Sequence, residues 1–175
     1  MSDADLLRAV ANGDQAAFQQ LVERHIDALF RYALRLCGSH QRAEDLCQDT
    51  WLKVWTKADS FNPRRSQANT WLFSILHNGF VDSVRKHSPA LDNEAEQLME
   101  DTNTPEKSVL AAAQNEALEG ALANLPESQR AAVLLHYFQG FTNAQVAQIM
   151  DSSERAVESL IARAKRTLTT EIGHV

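Results

Sequence analysis

The sequence predicts an all-α fold: two small helical domains joined by an acidic linker, the second ending in a helix-turn-helix. Three observations predict it. Apolar residues recur at i, i+3, i+4 and i+7 through most of the chain, which is the period of an amphipathic helix and not of a strand. Six glycines and four prolines in 175 residues leave room for long helices, and a hydrophobic content of 44% is enough for a core. From Ser88 to about Pro105 the period lapses into an acidic stretch with two prolines, Pro89 and Pro105, which reads as a linker; residues 88–110 carry one lysine and six acids.

The elements run in order along the chain. Asn12-Gly13-Asp14 separates a short first helix from a long second one. Phe18, Leu21, Val22, Ile26, Leu29, Phe30, Ala33 and Leu36 mark the core face of the second. Gly38 stands where a helix C-terminal glycine belongs, and Ser39 can cap the next helix. That third helix has a stripe of Ala43, Leu46, Cys47, Thr50, Trp51, Val54, Trp55 and Ala58. Asn62-Pro63 ends it and opens a basic loop, Arg64-Arg65-Ser66. A fourth helix runs from about Gln67 to His87 and is apolar around nearly its whole circumference at the start. Residues 1–87 are read as one domain and 88–105 as the linker, where Leu91, Leu98 and Met99 can dock transiently. The second domain, 106–175, opens with a helix carrying Val109, Leu110, Ala113, Ala117, Leu118 and Ala121. Pro126 stands near the start of the next helix, where its missing N–H costs little. Val133, Leu134, Tyr137 and Phe138 line that helix and Gly140 stops it.

Residues 141–166, FTNAQVAQIMDSSERAVESLIARAKR, have the form of a helix-turn-helix. Thr142 and Gln145 are spaced as a capping box. Asp151, Ser152 and Ser153 make a turn that can also cap the second helix of the motif. Ala156, Val157, Leu160, Ile161 and Ala164 form the anchoring stripe of that second helix, and Arg155, Glu158, Ser159, Arg163 and Arg166 its polar side. A helix that reads DNA needs this division, one face held by its own domain and the other reaching bases and phosphates.

Net charge is −6, but its distribution matters more than its sum. Residues 1–87 carry 11 basic and 10 acidic side chains, and 111–175 carry 5 and 7, so much of the acid excess lies in the middle segment. Phosphate neutralisation supplies most non-specific DNA affinity, so such a chain binds DNA weakly unless a partner carries it there. No apolar run approaches the ~20 residues needed to span a bilayer. The start, MSDADLLRAV, has acids where a signal peptide has bases, so a cytoplasmic protein without membrane insertion is expected. Cys37 and Cys47 fall on apolar stripes and read as buried free thiols.

Two further faces bear on function. The third helix turns Glu44, Asp45, Gln48, Asp49, Leu52 and Lys53 away from its stripe, an acidic face with one leucine that is either solvated or docked on a basic helix. From Ser60 to His87 there are four cations and one acid beside Trp71, Phe73 and Phe80, a composition suited to holding unstacked bases.

AEDLCQDTWLKVWTKADSF followed by NTWLFSILHN resembles region 2 of the extracytoplasmic-function (ECF) bacterial RNA polymerase sigma factors. NLPESQRAAVLLHYFQGFTNAQVAQIM with AVESLIARAKRTL resembles their region 4, in the same order and with a short acidic linker between. The resemblance implies an alternative sigma factor that binds core polymerase, through the β′ clamp helices and the β subunit, and carries it to promoter DNA. Control by an anti-sigma factor is implied with it, and no catalytic residue, metal or cofactor. By similarity Asp45, Gln48, Asp49, Leu52 and Lys53 fall on the polymerase-docking face. Arg64, Arg65, Trp71, Phe73, His77, Asn78, Asp82 and Arg85 fall where the family engages the −10 element. Arg155, Glu158, Ser159, Arg163, Lys165 and Arg166 fall on the helix for the −35 duplex.

Other readings have less behind them. A stand-alone helix-turn-helix regulator with a sensing or dimerising N-terminal domain needs a dimer seam or a basic surplus, and neither is evident. Cys37, His40 and Cys47 make an incomplete zinc set, three ligands without a fourth.

Overall fold

The computed structural model describes residues 1–87 and 109–173, and within them every regular element is helical. The helices are α1 (Asp3–Ala11), α2 (Gln15–Cys37), α3 (His40–Lys57), α4 (Ala68–His87), α5 (Val109–Asn124), α6 (Glu127–Val133), α7 (Asn143–Met150) and α8 (Glu154–Ile172). The segment read as a linker, with Leu91, Leu98 and Met99, lies outside the described residues.

Nine residues are too few for α1 to persist alone. Three things hold it. Ser2 and Asp5 form a capping box. Asp3 bonds Arg24 and His25 on α2, each at 2.8 Å. Leu6, Leu7 and Val10 are almost fully buried, each worth about 1.5–3 kcal/mol. Asp14 starts α2 by accepting from the amide of Ala17 at 3.1 Å. Gly38 ends it at φ 67°, a left-handed conformation that glycine adopts without a Cβ penalty. Ser39 then caps α3.

Helix α4 lies between two apolar clusters. Toward α1 and the start of α2 it sends Ala68 and Leu72, with Trp71 and Ile75 half-buried. Toward the second cluster it sends Phe73, Leu76 and Phe80. Its close approach to α3 occurs at Gly79, where a Cβ would stand 3.1 Å from Leu46 Cδ1. The second cluster is common to both halves of the chain. Leu29, Tyr32, Ala33, Leu36 and the α4 residues share it with Leu122, Leu125, Leu135, Phe141, Val146 and Ile149. The halves, described up to His87 and again from Val109, are therefore packed against each other.

The second half departs from the sequence reading most where α6 ends. After α6 the chain widens into a π-type turn, Leu134–Phe138. The extra residue keeps Leu134 and Leu135 buried and swings Tyr137 and Phe138 out, to 51% and 38% exposure, away from the core they were expected to join. Ile26, expected on the core face of α2, is likewise exposed, at 42%, because no described element covers that side of the helix. In α8 the buried stripe is Val157, Ile161 and Ala164, with Ala156 exposed.

Candidate polymerase and nucleic-acid surfaces

On α3 the residues opposite the buried stripe form one accessible face. Asp45, Gln48 and Asp49 are exposed, Lys53 is half-buried, and Leu52 stands 63% exposed among them. Thr50, on the buried side, donates its hydroxyl to Leu46 O at 2.7 Å and is satisfied within the helix. A rigid helix thus presents carboxylates and an amide around one apolar side chain, a surface suited to a basic helical partner.

The loop between α3 and α4 is shaped by Asn62, whose side chain accepts from the amide of Arg64 at 2.9 Å. Arg64 and Arg65 are both exposed at its tip. Trp71 leans on Phe61, ring centroids 5.5 Å apart. An open recess of about 310 Å³ beside the loop is lined by Phe61, Pro63, Ser66, Gln67 and Asn69, with Asp3 of α1. Asn78, Asp82 and Arg85 follow on an exposed stripe of α4.

Phe73 and His77 are not part of that surface. Phe73 is 1% exposed and stacks edge-on against Phe141, centroids 5.1 Å apart. His77 is 6% exposed and shares a 3.0 Å hydrogen bond with the buried Tyr32 hydroxyl. Burial pushes the His77 imidazole down to about 4, so it is neutral at physiological pH. With Leu76 and Phe80 the two complete an i, i+3, i+4, i+7 stripe that faces inward.

In the helix-turn-helix the capping box is formed as expected. The Thr142 amide donates to Gln145 Oε1 at 3.0 Å, and the Gln145 amide donates to Thr142 Oγ1 at 3.2 Å. Asp151 takes the left-handed conformation that turns α7 into α8, and Ser153 caps α8 by accepting from the Ala156 amide at 3.1 Å. Arg155, Glu158, Ser159, Arg163, Lys165 and Arg166 are all exposed on α8. Lys165 reaches back over the Tyr137 ring, 5.1 Å from its centroid.

Several contacts that the sequence reading did not anticipate hold these surfaces in place. Arg130, the arginine of LPESQR, donates from Nε to Leu122 O (3.1 Å), from Nη2 to Ala123 O (3.1 Å) and Leu125 O (2.9 Å), and from Nη1 to Leu36 O (2.9 Å). Arg35 bridges to Glu119 at 3.0 Å and lies 4.6 Å from the centre of the Phe138 ring. Gln148 Nε2 donates to Arg65 O at 3.2 Å, and Gln145 Nε2 to Gln67 Oε1 at 3.3 Å. A single sequence marks none of these pairs between the halves, because the hydrogen-bonded partners are 78 to 94 residues apart.

Cys37, His40 and Cys47 do not converge on a metal site, and among the described residues no three His, Cys, Asp or Glu side chains do. Both thiols are free; Cys47 is buried and Cys37 half-buried, and burial pushes each up to about 11. No described helix is long and apolar enough to cross a membrane.

These features agree with what the chain resembles. It matches the Sigma-70 region 2 family over residues 21–89 and the Sigma-70, region 4 family over residues 115–168. The ECF RNA polymerase sigma factor SigL of Mycobacterium tuberculosis is 32% identical over 90% of this chain and 90% of its own. SigM of the same organism is 32% identical over 99% of this chain and 86% of its own. Among solved structures, CnrH in complex with the cytosolic domain of CnrY aligns at a TM-score of 0.73 with 26% identity, covering 98% of this chain and 97% of that one. The sigma factor RpoE of Bartonella quintana, in complex with the anti-sigma factor NepR, aligns at 0.72 with 29% identity, covering 89% and 96%. With both region families in order and relatives of this identity along nearly its whole length, the chain belongs to the ECF family of RNA polymerase sigma factors.

Proposed function

We propose that this chain is an alternative sigma factor that binds core RNA polymerase, directs it to specific promoters and is held in check by an anti-sigma factor. It contributes recognition and melting, with no catalytic residue of its own. The observation that carries the reading is the presence on one chain of two separate surfaces that a sigma factor needs. One is the α3 face of Asp45, Gln48, Asp49, Leu52 and Lys53, for the β′ clamp helices. The other is the exposed polar face of α8, for the −35 duplex.

The residue roles belong to the same reading. Arg64 and Arg65 grip the melted −10 strand, with Trp71 and Phe61 offering ring faces for a base extruded toward the recess. Asn78 reads its edge, and Asp82 and Arg85 flank it. On α8, Glu158 accepts from a cytosine amino group, arginines bridge guanine acceptors, and Lys165 and Arg166 neutralise phosphate. Phe73 and His77 act through packing, because their burial leaves them no atoms to offer a base. The anti-sigma partner is supported by the two similar structures, each solved with such a protein or a cytosolic domain bound.

The test is run-off transcription with core polymerase on a library of promoter candidates. Specific transcripts that require this protein establish the function. Absence of transcripts together with absence of core binding sinks it.

A further inference from the structure

We infer that Lys53 belongs to the −10 surface and not to the polymerase-docking face: its ammonium holds a backbone phosphate of promoter DNA beside Asn78. The inference rests on the DNA role proposed above for the exposed strip of α4. It leaves the docking face to Asp45, Gln48, Asp49 and Leu52.

Helix geometry separates Lys53 from those four. At 3.6 residues per turn, a step of seven returns a side chain to within about 20° of its starting direction, so Lys53 lies over Leu46. Leu46 is on the buried side of α3. Both side chains meet α4 at the same place: a Cβ on Gly79 would stand 3.1 Å from Leu46 Cδ1 and 3.9 Å from Lys53 Nζ. The lysine therefore crosses from α3 to α4, and its ammonium ends in the notch left by a residue without a side chain. Its burial agrees. Asp45, Gln48, Asp49 and Leu52 are exposed, whereas Lys53 is half-buried, its stem laid along the protein and its charged head at the edge.

That edge is the strip proposed to read the −10 element. Asn78 precedes Gly79 in the chain, and Asp82 follows one turn later; both are exposed. Among the described residues no carboxylate lies within ion-pair distance of Lys53, so its charge is not neutralised within the protein. A compact ammonium with three donors suits a single phosphate oxygen, and Arg85 and Lys86 continue the positive charge along α4. Charge also argues against the docking face. That face is acidic and suited to a basic helix, and a lysine aimed at such a partner would set like charges against each other. Turned onto α4, the lysine stands clear of it.

Salt dependence tests this on the full chain. Binding to a labelled mixed-sequence duplex of about 20 base pairs with a single-stranded tail of about 15 nucleotides is followed by fluorescence anisotropy across a salt series. Lys53→Ala is expected to weaken binding and to reduce the slope of log affinity against log salt by about 0.7–0.9, the signature of one lost phosphate contact. Lys53→Arg is expected to keep the wild-type slope. Arg31→Ala, which removes the same charge from an exposed site on α2, is expected to keep it too. In titrations with core polymerase, Lys53→Ala is expected to bind within about twofold of wild type, and Asp49→Arg about tenfold or more weaker.

An unchanged slope in Lys53→Ala overturns the inference, and so does an equal fall in Arg31→Ala. A loss of core affinity in Lys53→Ala comparable to that of Asp49→Arg returns the lysine to the docking face. These results are separable from failure of the sigma-factor reading. A wild type that does not bind core removes that reading, and the slopes still decide whether Lys53 meets phosphate. Normal core binding with an unchanged slope removes the inference alone.

Discussion

Helices α4 and α8, both proposed to meet DNA, are built on opposite plans. α8 buries one stripe, Val157, Ile161 and Ala164, with Leu160 and Leu168 packed beside it, and leaves its polar side to solvent. α4 is buried toward two clusters at once, with Leu72 facing one and Phe73, Leu76 and Phe80 the other, so that a narrow strip from Asn78 to Arg85 remains open. The contrast teaches where function can vary. On α8 a reading residue can change without touching the core. On α4 nearly every position is also a packing position, and the reading residues are few.

The largest effect that sharpens this contrast is at Phe73. Phe73→Ala removes a buried ring that meets both Tyr32 and Phe141, and is expected to lower stability by about 3–5 kcal/mol in urea denaturation. An effect below about 1 kcal/mol would mean that the ring is accessible and free for DNA.

His77 comes next. Its folded pKa is depressed by burial to about 4 from the ordinary 6.5, so the unfolded chain takes up a proton first as pH falls. Its contribution is complete above 6.5 and is lost as pH falls from there toward 4, by about 2 kcal/mol between pH 7.5 and 5. Denaturant midpoints at the two pH values measure this slope, and His77→Gln is expected to flatten it by that amount. An unchanged slope would place the imidazole in solvent.

A smaller loss is expected at the start of α8. Ser153→Ala leaves the Ala156 amide without its cap and is expected to cost about 1 kcal/mol of stability, read from the thermal midpoint. Glu158→Ala is expected to change stability by less than about 0.5 kcal/mol. It is nevertheless expected to shift preference at one or two −35 positions by about 1–3 kcal/mol in a competition assay on duplex variants. A uniform loss over all sequences would make Glu158 a general contact, and the comparison with α4 would lose its edge.

The same contrast governs what could be read from the sequence. Helix ends were legible because caps are local: Gly38, Ser39, Ser153 and the Thr142–Gln145 box do what their positions imply. The α8 face was legible because a helix buried on one side has a clear period. The inward turn of Phe73 and His77 was not, since a helix apolar on most of its circumference does not say which side is covered by what. Their spacing with Leu76 and Phe80 was the available signal. The outward swing of Tyr137 and Phe138 depends on one π-type turn, which shifts the period by a residue and has no short sequence signature. The contacts between halves depend on partners far apart in the chain, beyond the reach of any window.

Arg130 has one more consequence, in electrostatics. The C-termini of α2 and α5 meet at its guanidinium, and each helix end carries roughly half a negative elementary charge. Two half-charges against one cation make the joint close to neutral, so the helix ends can face each other without repulsion. Lysine would bring the charge but not the planar fork that reaches four carbonyls at once.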